Sequence, residues 1–179
     1  MAFNNQIEQT VLSGTTGSGA FVGSVSAALT GSPTLNAYAL APVTPWVAYT
    51  PTFTAFGTPT NIEFWSRRVG DTLEVRGRFR AGTTSGVLEA RISLGVNGVD
   101  SNVTSSSSVI TSIECCGVGA YSRTGAQFNV VLIESNVGYM TFGLAGATNA
   151  SLTKVSGLTL LFPSDDFSFI AKVPVTTWP

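Results

Sequence analysis

FWSRRVGDTLEVRGRFRAG, Phe64 to Gly82, holds Arg67, Arg68, Arg76, Arg78 and Arg80, more than half of the chain's nine basic residues. Such a cluster reads as a nucleic-acid patch, a catalytic arginine group or the solvated face of a sheet, and strand pairing separates the three. Gly70-Asp71 places glycine at the first central position of a two-residue loop, as a type II′ hairpin turn requires. That turn sets Val69 opposite Thr72, Arg68 opposite Leu73, Arg67 opposite Glu74, Trp65 opposite Arg76 and Glu63 opposite Arg78. The alternate positions pair Ser66 with Val75, Phe64 with Gly77 and Ile62 with Phe79. One face is then apolar. The other is an exposed hairpin face of Glu63, Trp65, Arg67, Glu74, Arg76 and Arg78, open to solvent and offered as an interface to a neighbouring subunit or a ligand. Opposite charges facing each other across strands contribute roughly 0.2–1 kcal/mol per pair, and an exposed arginine against an indole about 0.5–1 kcal/mol. Glu63, Asp71 and Glu74 interleave with the arginines, which argues against nucleic acid.

The bulk numbers agree. Over 179 residues, 44% are hydrophobic and only 11% charged, with a net charge of −1. This composition buries a core, shows no global attraction to nucleic acid or anionic membrane, and suits strands and turns better than helices. MAFNNQIEQT has neither a basic start nor an apolar core, so no secretory leader is expected. No stretch approaches the roughly eighteen apolar residues of a membrane span, so no membrane insertion is expected.

Two regions are expected. Residues 1–44 lack charge after Glu8, mix small residues with glycine and proline, and show neither a helical stripe nor a clean alternation. They read as an extended N-terminal arm that gains order by lying on another surface, its own oligomer or a partner. Residues 45–179 read as short strands separated by turn signals, an antiparallel sandwich or barrel. WVAYTPTFTAF carries Trp46, Tyr49, Phe53 and Phe56. VLEARISLG offers Val87, Ala90, Ile92 and Leu94 to the interior. NGVDSNVTSSSS reads as a loop whose Ser105–Ser108 run forms a mobile tip. In FSFIAKVPV, Phe167, Phe169, Ala171 and Val173 share one face, and Ser168, Ile170 and Lys172 the other.

Chemistry is sparsely supplied. The chain has no histidine, which removes Ser-His-Asp and Cys-His arrangements and histidine metal sites. SGTTGSGAF has glycines but no Lys-Ser/Thr ending and no following helix pattern, so it is no phosphate loop. Adjacent Cys115 and Cys116 point to opposite faces of a strand, which excludes a disulfide framework and a thiolate metal site. Glu114 and Glu134, set in otherwise apolar strands, are the least ordinary carboxylates, and a glycosidase would need two such groups flanking a cleft. Each reads first as a strand-end or interface carboxylate with a partner. Asp165-Asp166 reads as a turn, with calcium the lesser reading. Asn102-Val103-Thr104 and Asn149-Ala150-Ser151 match the glycosylation triplet by chance. No catalytic residue, cofactor or metal is expected.

WVAYTPTFTAFGTPTNIEFWSRRVGDTLEVRGRF, Trp46 to Phe79, resembles a segment of tailed-bacteriophage virion proteins, especially tail-fibre and tailspike C-terminal domains. Those combine an aromatic-rich W..YTPT opening with a GTPTNIEFxxRRVGDxLEVRGxF hairpin. VPVTTW, Val173 to Trp178, resembles their closing VPxxGW, with Thr177 where glycine is usual; TGSGAFV resembles phrases that precede fibre domains. The match is good over residues 46–95 and moderate over the last ten. The resemblance implies a jelly-roll-like β-sandwich, assembled as a homotrimer on the outside of a virion made in a bacterial cytoplasm. Residues 1–44 would dock on other virion proteins, in tail or capsid, and the sandwich would face a host-surface glycan or protein. A non-enzymatic short fibre or receptor-binding module is the leading expectation. A capsid decoration protein, clamping neighbouring head subunits, is the alternative, and a glycan-degrading tailspike fragment the remote one.

Overall fold

The computed structural model describes residues 34–35, 38–39, 42–83, 88–122, 127–144, 154–157 and 163–179. Two compact units divide the chain, Met1–Leu40 and Ala41–Pro179. In the first, β1 (Thr34–Leu35) pairs antiparallel with β2 (Tyr38–Ala39); the rest of the expected arm up to Leu40 lies outside the described residues. Residues 42–44 belong with the second unit. Thr44 donates its N–H to the Arg68 carbonyl (3.0 Å), and Gly70 donates to that of Pro42 (2.8 Å).

The second unit contains β3 (Val47–Ala48), β4 (Phe53–Thr54), β5 (Thr60–Val69), β6 (Thr72–Arg80), β7 (Arg91–Ser93), β8 (Gly95–Val96), β9 (Val99–Asp100), β10 (Glu114–Ser122), β11 (Gln127–Ile133), β12 (Tyr139–Leu144) and β13 (Asp166–Pro174). Nine of these form one antiparallel sheet in the order β3-β5-β6-β13-β10-β11-β12-β7-β4. Every named element among the described residues is a strand, so the all-β class stands.

The order of the strands dictates the shape. β3 and β4 lie at opposite ends of the sheet, yet only Tyr49–Thr52 separates them. Five residue steps reach at most about 18 Å, whereas eight strand spacings in a flat sheet would cover about 38 Å. The sheet must therefore curl until its two ends meet. Tyr49 donates its N–H to the Phe64 carbonyl in β5 (3.1 Å) and its hydroxyl to the Ser93 carbonyl in β7 (3.2 Å). Thr52 exchanges bonds with Ser93, donating to its Oγ at 2.7 Å and accepting its N–H at 3.0 Å.

Curling encloses a phenylalanine core. Phe142 of β12 lies 5.4 Å from Phe167 of β13, centroid to centroid, although β10 and β11 intervene in the sheet. Phe79 meets Phe53 at 4.9 Å, Phe56 at 5.1 Å and Phe167 at 5.6 Å. Pairs of this kind add about 0.5–1.5 kcal/mol each beyond their burial. Phe167, Phe169, Ala171 and Val173 face inward, as the alternation in FSFIAKVPV requires, and Ser168, Ile170 and Lys172 face out. Ala90, Ile92 and Leu94 are fully buried, while Val87 lies outside the described residues.

Three local expectations change. Ile62 does not face Phe79: Thr60 pairs with Arg80 and Glu63 with Arg78, so Asn61 and Ile62 together oppose Phe79. Asn61 sits at φ 52°, and this bulge turns Ile62 outward, 37% exposed. The expected loop from Asn97 begins instead as a hairpin of β8 and β9, turned on Asn97 and Gly98 at φ 56° and 82°, the two positive values of a type I′ turn. Half of the serine run is not a tip: Ser107 and Ser108 are exposed in a turn, whereas the first two serines are buried. Ser105 and Ser106 are each 2% exposed; Ser105 Oγ donates to the Glu134 carbonyl and accepts the Val137 N–H, and Ser106 donates its N–H to the Pro174 carbonyl. Buried polar groups require such partners, and here they anchor the segment to the β11–β12 connection and to the end of β13.

Candidate functional site

The candidate site is the outer face of β5, β6 and β13. Its foundation is the turn: Gly70 is at φ 62° and Asp71 is not at positive φ, the pattern of a type II′ turn. The register follows, with Arg67 opposite Glu74, Trp65 opposite Arg76 and Glu63 opposite Arg78. Phe64 and Ser66 point inward and are buried, leaving Trp65 and Arg67 on the outer side.

Glu74 departs from expectation. It is 9% exposed and buried, not open to solvent, because β6 is an interior strand and β13 supplies Lys172 directly opposite it. Arg67 Nε donates to the Glu74 carboxylate at 2.7 Å, and Lys172 Nζ lies 3.2 Å from the other oxygen. The Arg67 hydrogen bond, helped by Lys172 and opposed by burial, holds this carboxyl below the usual range. At the next corner, Arg80 grips Asp166 with two bonds of 3.1 and 2.8 Å. That bond lowers the Asp166 carboxyl and engages the group that calcium would have used. Among the described residues no cluster of three potential metal ligands exists.

Aromatic rings frame the same face. Arg76 lies over Trp65 at 4.8 Å and over Trp46 at 4.9 Å, and Trp46 also covers Arg67 at 4.7 Å. Trp46 was legible only as part of an aromatic opening, since its meeting with both arginines requires residues 42–48 to run along β5. Trp178 stacks on Arg68 at 4.5 Å, at the inward-facing end of the hairpin. Arg76, Arg78 and Glu63 are exposed, and among the described residues none of the three is in an ion pair. Beside them Ala48, Thr50, Ile62, Glu63 and Trp65 line a cleft of about 330 Å³. Across the sheet from Arg76, Ile170 is 49% exposed, and its partner Val118 of β10 is 56% exposed.

The remaining candidates fall elsewhere. Glu134 does not stand alone: Lys154 Nζ bridges it at 3.0 Å and Glu89 at 2.9 Å, and Arg91 grips Glu89 at 3.1 Å while lying over Tyr139. Burial pushes the Glu89 carboxyl up, but Arg91 and Lys154 outweigh it, so it sits lower than usual. Glu114 opens β10 opposite Ile133. Cys115 and Cys116 are free thiols, the first exposed and the second half-buried. Asn102 turns its side chain back on Val96, whose N–H and carbonyl it engages at 2.9 and 3.1 Å; Asn149-Ala150-Ser151 lies outside the described residues.

Comparison with protein-family models, with curated proteins and with solved structures returns no match. The site's meaning therefore rests on its own geometry and on the resemblance carried by Trp46 to Phe79.

Proposed function

We propose that this chain is a non-enzymatic structural protein on the exterior of a tailed-phage virion, a short trimeric fibre or receptor-binding module docked by its N-terminal residues. Its body is a jelly-roll-like sandwich formed by the curled sheet folding its two halves over the phenylalanine core. The observation that carries this reading is the hairpin face. The stretch that resembles fibre domains forms an aromatic-bordered surface on which Glu74 binds Arg67 and Lys172 of adjacent strands while Glu63, Arg76 and Arg78 stay exposed, which is the behaviour of a display surface. Exposed Val118 and Ile170 supply the contact between subunits, since apolar side chains lined up on a sheet face favour a partner over water.

Labelled antibody on intact particles tests the placement. Signal at the tail is expected; signal spread over the head would replace the fibre reading with the decoration one, and absence from particles would end both. Sedimentation of the purified protein tests the assembly: a trimer is expected, and a monomer at high concentration would refute it. Val118→Glu should then dissociate the trimer without unfolding it.

A further inference from the structure

We propose that Arg76 and Arg78, with Trp65 and Glu63 beside them, form a binding subsite for a saccharide that carries an oxyanion. On this face Arg67 and Lys172 share the single charge of Glu74, and Arg80 pairs with Asp166. Arg76 and Arg78 are left. They occupy alternate positions of β6, so both project from the same side, about 7 Å apart along the strand. Two like charges at that spacing repel, and neither arginine is in an ion pair among the described residues, although Arg78 lies opposite Glu63 and helps to lower the Asp166 carboxyl. An oxyanion from outside would close on Arg76 and reach Arg78 beside it.

The arginine is also pre-set. Contact with the indoles of Trp65 and Trp46, at 4.8 and 4.9 Å, restricts the Arg76 guanidinium while leaving its in-plane N–H groups uncommitted. A fixed planar fork is the geometry that grips a carboxylate or phosphate with two bonds, and less ordering remains to be done on binding. The neighbouring cleft of about 330 Å³ suits one or two sugar rings. Trp65 forms a wall that takes the C–H face of a ring, and Glu63 accepts bonds from hydroxyls, as does Thr50. A nucleic acid fits worse, because Glu63 stands among the arginines and the chain is negative overall.

The proposal rests on the receptor-binding reading only for where the saccharide comes from. Full-length protein is titrated calorimetrically with a uronic-acid oligosaccharide, its carboxyl-reduced neutral counterpart, a phosphate-substituted oligosaccharide and a single-stranded DNA of equal charge. Saturable binding to at least one acidic saccharide is expected, about tenfold or more tighter than to the neutral one, and weakened by salt. The uronic and phosphate arms distinguish the oxyanion. Arg78→Ser and Arg76→Met should each weaken binding about tenfold, with unchanged melting. Should Arg76→Met destabilise the fold, exposed Arg78 decides alone. Equal affinity for acidic and neutral sugars, no binding to either acidic sugar, tighter binding to the DNA, or indifference to Arg78→Ser overturns the proposal. Any of these leaves particle labelling untouched, and labelling on the head leaves the titration untouched.

Discussion

Replacing Gly77 with alanine tests the packing that closes the hairpin over the core. A Cβ there would stand 2.5 Å from Phe64 Cε1, 2.7 Å from Phe64 Cζ and 2.6 Å from Phe169 Cε1. Ordinary carbon contacts begin near 3.5 Å, so the methyl overlaps two rings by nearly 1 Å each. Neither ring is free to yield. Phe64 is packed against Tyr49, Phe53 and Phe79 at centroid distances of 5.9, 5.6 and 6.2 Å, and Phe169 against Phe142 and Phe167 at 6.0 and 5.9 Å. Overpacking of this kind costs about 1–3 kcal/mol, and the stiffening of the unfolded chain by alanine returns about 0.4–1 kcal/mol. A net loss of about 1–2 kcal/mol should lower Tm by roughly 3–8 °C for a domain of this size. Urea denaturation followed by fluorescence, alongside a thermal melt, measures it. Gly138→Ala is the control, since a Cβ there meets only the Val103 carbonyl at 3.5 Å. Equal melting of the two variants would show that the rings do not close over β6 at this point.

Gly70→Val should lose about 1–3 kcal/mol in the same assay, because a β-branched residue resists the positive φ of 62°; unchanged stability would move the turn elsewhere. The Glu74 carboxyl is lowered in the fold by Arg67, so its contribution is present above the unfolded value and lost as pH falls through the folded one. Stability should therefore decline below about pH 4.5, and Glu74→Gln should make that decline shallower; an identical slope would remove Glu74 from the account. Burial raises the Cys116 thiol to about 12, so at pH 8 a thiol reagent should label Cys115 alone in the folded protein and both after denaturation. Fast labelling of both thiols in the native state would refute the burial.

The hairpin was legible because its determinants are local. A glycine that must take positive φ fixes the register, and a period of two then assigns each side chain to a face. The same alternation placed Phe167, Phe169, Ala171 and Val173 inside. Local rules fail where a distant strand decides. Nothing near Glu74 announces that β13 lies alongside with Lys172, so its burial was hidden, although Lys172 had been placed on the correct face. Trp46 was similarly noted without its partners. The Asn97-Gly98 turn was readable in principle, since both residues tolerate positive φ, but the polar run that follows disguised it. The burial of Ser105 and Ser106 had no sequence signal, because hydroxyls are buried only where a neighbouring backbone offers partners.

The short passage from Tyr49 to Thr52 has a consequence for aggregation. An open sheet of this width would present a row of unpaired N–H and carbonyl groups along each rim, ready to recruit strands from other molecules. Here each rim ends in a two-residue strand, and one peptide segment occupies both. Proteolytic cleavage near Pro51 would release both rims together, so a single nick should turn a well-behaved protein into one that self-associates.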